Sequence, residues 1–303
     1  MLKSFLALFM ALLPLCAIAQ DIPALAGIQM NAPLAEVEAL MQERSASTKL
    51  ITIAEPRFPL AEKEEAHLIC HGVTTATGTL EKVVFTFADN QLVYVEARGN
   101  ASEIFPKAAT DSIRTYMDYD VFFADKLFIQ KKQDTAWILS DAALHVNLFA
   151  WENPFLQNPD RTAYPPIKET GIPAFLTMGA SLETMTPLME QHSMVTFKET
   201  LDGSDPNAQV QVNCFGVDYM GFPRKAEARF GDNILNVVWI LTGKGEEDRI
   251  RKALRTAYGA PVYTNDDWEI YNNWQVGLRK DKPEVLLMEQ SIGSGYKKSY
   301  FNQ

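Results

Sequence analysis

One unit occurs twice in this chain. Ile22-Pro23-Ala24 returns as Ile172-Pro173-Ala174, and Leu34, Val37, Leu40 and Met41 return as Leu182, Met185, Leu188 and Met189. Cys70-His71-Gly72-Val73 returns as Cys214-Phe215-Gly216-Val217, Phe87-Ala88-Asp89-Asn90 as Phe230-Gly231-Asp232-Asn233, and Arg114-Thr115 as Arg255-Thr256. The matches keep their order, and the spacing between copies shortens gradually, as small deletions in the second copy would produce. A duplication constrains the fold strongly, because one packing solution must serve both copies. Between them lie Pro154, Pro159, Pro165, Pro166 and Gly171. Proline locks φ and removes a donor, so this stretch reads as an extended connector. The expected organisation is a first repeat over 20–152, a connector over 153–171 and a second repeat over 172–303.

Each copy carries the same run of signals. Leu34, Val37, Leu40 and Met41, and their counterparts from Leu182, fall at helical spacing. A strand is expected around each later cysteine, at 67–73 and 210–217. A hairpin follows, turning at Asp89-Asn90 and Asp232-Asn233, residue types that tolerate the positive φ of a tight turn. A second helix is expected from Ser102 to about Met117 and from Glu246 to Tyr258, the latter stopped by Gly259-Ala260-Pro261. Closing hairpins are expected at 137–139 with 144–148, and at 274–278 with 285–288. The fold class is therefore α+β, with two tandem homologous domains. Each is a mostly antiparallel sheet with two helices packed on one face.

The N-terminus reads as an address. Met1-Leu2-Lys3 precedes an apolar run from Ser4 to Leu15, and Ala17-Ile18-Ala19 supplies small residues before Gln20. This pattern predicts a signal peptide over 1–19 with cleavage after Ala19, and a periplasmic or secreted protein of a Gram-negative bacterium. The run is shorter than the ~20 residues of a membrane span, so none is expected. Cys16 stands where a lipid could attach. Leu15 is too large for the small residue that lipoprotein processing requires, so no lipid anchor is expected there. The net charge of −10 argues against nucleic acid as a partner.

Four groups of residues invite a functional reading. Cys70 and Cys214 occupy equivalent places, and an exported pair can form a disulfide. Equally, each can be a small buried apolar residue copied with its core. His67 and His71 resemble a metal pair. On a strand they stand about 13 Å apart, too far to share one ion. Tyr116, Tyr119, Phe122 and Phe123, with Trp268 and Trp274 in the other copy, lie in aromatic, acidic stretches. Strands favour aromatics, and aromatic anchors rimmed by charge also suit a recognition surface. Gly293-Ser294-Gly295 reads as a turn. No phosphate loop, dinucleotide fingerprint, zinc-protease motif or nucleophile elbow occurs, so no cofactor is expected.

The helix ending at Tyr258-Gly259-Ala260-Pro261, followed by strands, resembles small exported α/β domains of Gram-negative bacteria. The SmpA/OmlA outer-membrane assembly lipoproteins and the tandem-repeat β-lactamase inhibitor protein share parts of this plan. That resemblance is architectural and implies non-catalytic binding in the envelope. The expectation is an exported, non-enzymatic binding or envelope-associated protein, with a groove between the repeats for a protein, peptide or small ligand. The alternative is an exported hydrolase whose site is assembled from scattered residues.

Overall fold

The computed structural model describes residues 21–301 except 117, 159, 168, 169 and 283. The expected signal peptide and Cys16 lie outside the described residues. In the first repeat the elements are α1 (Leu34–Arg44), β1 (Ser47–Ile53), β2 (Glu65–Thr75), β3 (Gly78–Ala88), β4 (Gln91–Arg98), α2 (Ala101–Ala108), β5 (Arg114–Tyr116), β6 (Tyr119–Phe122), β7 (Leu127–Gln130), β8 (Thr135–Leu139) and α3 (Asp141–His145). The connector carries α4 (Pro154–Gln157). The second repeat runs α5 (Leu182–Gln191), β9 (Val195–Thr200), β10 (Val210–Tyr219), β11 (Phe222–Gly231), β12 (Ile234–Leu241), α6 (Glu247–Tyr258), β13 (Tyr263–Thr264), β14 (Trp268–Tyr271), β15 (Val276–Arg279), β16 (Glu284–Met288) and α7 (Gln290–Ser299).

The fold is α+β, with one eight-stranded antiparallel sheet per repeat. The first has the order β1-β2-β3-β4-β8-β7-β6-β5, and the second β9-β10-β11-β12-β16-β15-β14-β13. Position for position these are the same arrangement. The hairpin turns expected at Asp89-Asn90 and Asp232-Asn233 are present, with φ of 48°, 63°, 51° and 66°, the left-handed values a two-residue hairpin requires. Val37 and Met41 of α1 and Ile104 and Phe105 of α2 share a core with Leu68, Cys70, Val83 and Phe85. Met185 and Met189 of α5 and Ile250 and Leu254 of α6 do the same over Val212, Cys214 and Val238. Two helices thus cover one face of each sheet.

The other faces are covered differently. In the first repeat the connector lies there: Phe155 and Leu156 of α4 pack on Ile51, Ile69 and Val84, and Trp151 packs with Tyr94 and Trp137. In the second repeat, α7 brings Ile292 and Tyr296 against Val237, Ile270 and Met288.

Several local expectations are corrected. Strands are more numerous: β1 and β9 add an edge to each sheet, and β5–β7 and β13–β14 extend the opposite end. The second helix of the first repeat stops at Ala108, not near Met117. Pro106 lies in its last turn, and Asp125 takes the main-chain N–H groups of Thr110 and Asp111 to turn the chain into β5. Residues 144–148 are not a strand. Ser140 caps α3 by accepting from the Ala143 N–H, and β8 pairs with β4 and β7 instead. The second closing hairpin is present as β15 with β16. Gly293-Ser294-Gly295 is helical, because the Glu289 carboxylate accepts from the Ser291 and Ile292 N–H groups and starts α7. A Cβ at Gly293 would stand 2.1 Å from the Trp274 carbonyl oxygen, so the close approach needs glycine.

Candidate binding cleft between the repeats

The β1–β2 loop carries the first repeat into the second. Phe58 on that loop is fully buried. Its ring meets Trp151 at 5.2 Å, Tyr94 at 6.2 Å and, across the repeat boundary, Phe222 at 6.1 Å. Arg249 of α6 donates to the Phe58 carbonyl at 2.9 Å, and Lys252 pairs with Glu55 at 3.2 Å. Arg57 lies over the Tyr164 ring at 4.8 Å and donates to the Pro165 carbonyl at 2.9 Å. Phe222 belongs to the same apolar cluster as Phe58, Tyr94 and Trp151, so the boundary is a packed core, not a hinge of polar contacts.

Beside this junction lie two cavities. The larger, about 1070 Å³, has one wall from Trp151 at the end of the first repeat with Tyr164 and Pro165 of the connector, and another from the second repeat (Phe175, Leu188, Tyr219). The smaller, about 650 Å³, lies between the β1–β2 loop and α6. They share Arg57, Ile167, Tyr219 and Met220. Proline, aromatic and thioether side chains form much of the lining of the larger one, a surface that suits apolar groups, and Glu152, Gln191, His192 and Asp218 add polar groups to it. The smaller one adds Arg224, Arg249 and Lys252 together with Glu55, Glu62, Glu246 and Asp248.

Two buried carboxylates fasten the connector. Glu65 accepts from the Arg57 and Phe58 N–H groups at 2.6 and 2.8 Å, from the Tyr164 hydroxyl at 2.6 Å, and contacts His67 Nε2 at 2.7 Å. Burial alone would disfavour its charge. The bonds from His67, Phe58 and Tyr164 outweigh that and hold the carboxyl below the ordinary glutamate range. Glu96 accepts from the Asn153 N–H and from Arg98 Nε. Here burial wins and the pKa rises to about 7. The folded chain therefore takes up a proton at Glu96 below pH 7, where the unfolded chain is still ionised. Its charge costs stability as pH climbs from about 4.5 to 7. Glu96→Gln keeps an acceptor for Asn153 and removes the charge. Its stability relative to the native chain should improve by about 2–3 kcal/mol between pH 5 and pH 8, measured by urea unfolding at both. A pH-independent difference would refute the assignment.

A third buried charge is held by its own partner. Arg224 and Glu246 are both nearly inaccessible and form a two-pronged ion pair, at 3.0 and 2.5 Å. Glu246 also accepts from the Gly243 N–H, which shapes the turn before α6.

The residues singled out from the sequence are placed as follows. Cys70 and Cys214 are free thiols, each inside the core of its own repeat, so the bridge is not formed. Burial raises their pKa values to about 12 and about 11, beside Ser45 and Ser193 respectively, which makes both poor nucleophiles at neutral pH. His67 is fully buried, and its second ring nitrogen lies 3.1 Å from both Thr86 Oγ1 and Asn153 Nδ2. Both nitrogens are engaged, and His71 is only half-buried at the Gly72 kink. Among the described residues no group of three or more His, Cys, Asp and Glu is placed to hold a metal. The expected aromatic surface is corrected. Phe122, Trp268 and Trp274 are buried core residues, Tyr119 is half-buried, and only Phe123 is well exposed. The Tyr116 side chain and Met117 lie outside the described residues.

Sequence reasoning missed Arg57, Tyr164, Tyr219, Phe222 and Arg249. None sits in a motif. The prolines of the connector were the available signal, and they read as a spacer, whereas Tyr164 and Pro165 form a wall.

No protein-family model, curated protein or solved structure matches this chain.

Proposed function

We propose that this is an exported, non-enzymatic binding protein of the bacterial envelope, and that its ligand or partner occupies the cleft between the repeats. The observation that carries this reading is the pair of adjoining cavities walled by both repeats and the connector. A groove made by a duplicated scaffold and lined by apolar and polar side chains together has the make-up of a binding site. Two titratable groups that line it are engaged within the protein, which favours binding over turnover: Glu246 is held by Arg224, and His192 is stacked on Phe175 with ring centroids 4.5 Å apart.

The test is photo-crosslinking in the periplasm of an expressing Gram-negative cell. A photoreactive residue at Gln157, an exposed position lining the larger cavity, should give a discrete adduct. The same probe at the exposed Tyr300 should not. Leu188→Trp, which fills the larger cavity from α5, should reduce the Gln157 adduct at least fivefold. Equal labelling from both positions, no adduct, or an adduct indifferent to Leu188→Trp would each overturn the reading.

A further inference from the structure

We infer that the smaller cavity receives the free C-terminal carboxylate of an extended, apolar peptide, whose body runs along the edge of β10 in the larger cavity. This rests on the binding role proposed above and names the ligand class.

Three observations converge on it. The first is an unmet donor. Tyr219 is 2% exposed, lines both cavities, and its hydroxyl has no hydrogen-bond partner among the described residues. A buried hydroxyl left without a partner is unfavourable, and a ligand acceptor would remove that cost. Burial also raises its pKa, so at neutral pH it is a donor.

The second is unspent positive charge. The other cations of this region are already paired: Arg224 with Glu246, Lys252 with Glu55, and Arg251 with Asp248 and Glu269. Arg57 and Arg249 donate instead to the main-chain carbonyls of Pro165 and Phe58. Glu246 and, more weakly, Glu65 act on Arg249 through space, and Glu65 also acts on Arg57; the oxygens of Glu65 are filled by four contacts, and Glu246 is held by Arg224 and the Gly243 N–H. Two guanidinium groups that hold only neutral carbonyls can still take an anion, and the guanidinium fork suits a carboxylate.

The third is an open strand edge. β9 pairs with β10 only over residues 210–215, and the Met194 N–H closes that ladder on the Phe215 carbonyl. Beyond Gly216, β10 pairs with β11 alone among the described residues, while Gly216 and Asp218 line the larger cavity. An extended peptide can add to such an edge through main-chain hydrogen bonds, with alternate side chains against the apolar wall. A fatty acid would supply the carboxylate but could not use the edge, so the peptide is the better fit.

The test uses the full mature chain and fluorescein-labelled octapeptides of alternating Val and Ser ending in Phe, made as the free acid and as the C-terminal amide. By fluorescence anisotropy the acid should bind at least tenfold tighter than the amide. Tyr219→Phe and Arg249→Gln should each weaken the acid at least fivefold and leave the amide within twofold. Tyr219→Phe removes only the unpartnered oxygen, so it should melt no lower than the native chain, which separates lost binding from lost folding. Equal affinity for acid and amide would overturn the carboxylate assignment, and a cavity-dependent adduct at Gln157 would then show that the cleft still binds. No saturable binding of either peptide would overturn the peptide class, as would palmitate binding where both peptides fail.

Discussion

Glu65→Ala should destabilise the first repeat by about 3–5 kcal/mol, the range for breaking a buried charged contact and stranding its partners. The substitution leaves the Arg57 and Phe58 N–H groups, the Tyr164 hydroxyl and one nitrogen of His67 without their acceptor. Every one of these groups is in the β1–β2 loop, on β2 or in the connector, so the damage concentrates where the connector meets the sheet. Urea unfolding followed by tryptophan fluorescence measures it, with Trp151 as the nearby reporter. The pH dependence follows from the depressed pKa of Glu65. Its contribution is complete above the unfolded-state value of about 4.3 and fades as pH falls below it, because the unfolded chain binds the proton first. Glu65→Ala should therefore flatten the acid limb of the stability profile. A loss under about 1 kcal/mol, or an unchanged acid limb, would show that the carboxylate does not fasten the connector.

Phe58→Ala is expected to cost about 3–5 kcal/mol, as large-to-small changes at buried aromatic sites do. Its particular consequence is on coupling. Phe58 touches Tyr94 and Trp151 on one side and Phe222 of the second repeat on the other, and it packs the centre of a cluster in which Trp151 and Tyr164 also meet Phe222. Removing it hollows out the shared cluster while each repeat keeps its own helix-covered core. Calorimetry should then resolve two thermal transitions, where the shared cluster is expected to make the native chain unfold more concertedly. The cleft should also lose its fixed width, so the Gln157 adduct should fall. A single transition at nearly the native temperature would refute the coupling role.

Legibility of the fold varied with how local its causes are. The two hairpin turns were readable because Asp-Asn pairs adopt left-handed backbone through their own side-chain chemistry. α6 was readable from its stop, since Gly259 with Pro261 after it ends a helix by its own backbone chemistry. The end of α2 was not, because a distant acceptor, Asp125, decides where the chain turns. Residues 144–148 have strand-like composition, yet the neighbour that β8 takes is β7, and nothing near residue 144 encodes that choice. Trp268 and Trp274 illustrate the same limit. An aromatic beside acidic residues reads as an exposed anchor, but α7 folds back over both and buries them.

The candidate site was legible only as a place. A duplication joined by a proline-rich connector suggests a groove between the copies, and two cavities lie beside the junction of the repeats. Its chemistry was hidden, because Arg57, Tyr164, Tyr219 and Arg249 come from a loop, the connector, a strand end and a helix. Their roles arise from burial and mutual distance, which one-dimensional spacing does not contain.

The amino-acid order on its own settled the repetition, the α+β class, the helical stripes and the hairpin turns, since each depends on side-chain period or on a residue's own backbone preference. The three-dimensional packing decided the rest. It kept Cys70 and Cys214 in separate cores, turned His67 into a buried anchor for the connector, and left the Tyr219 hydroxyl without a hydrogen-bond partner among the described residues, in the wall of the cavity that Arg57 and Arg249 also line. Those outcomes depend on which distant surfaces exclude water from each other, and that is fixed only when the two repeats and their connector close together.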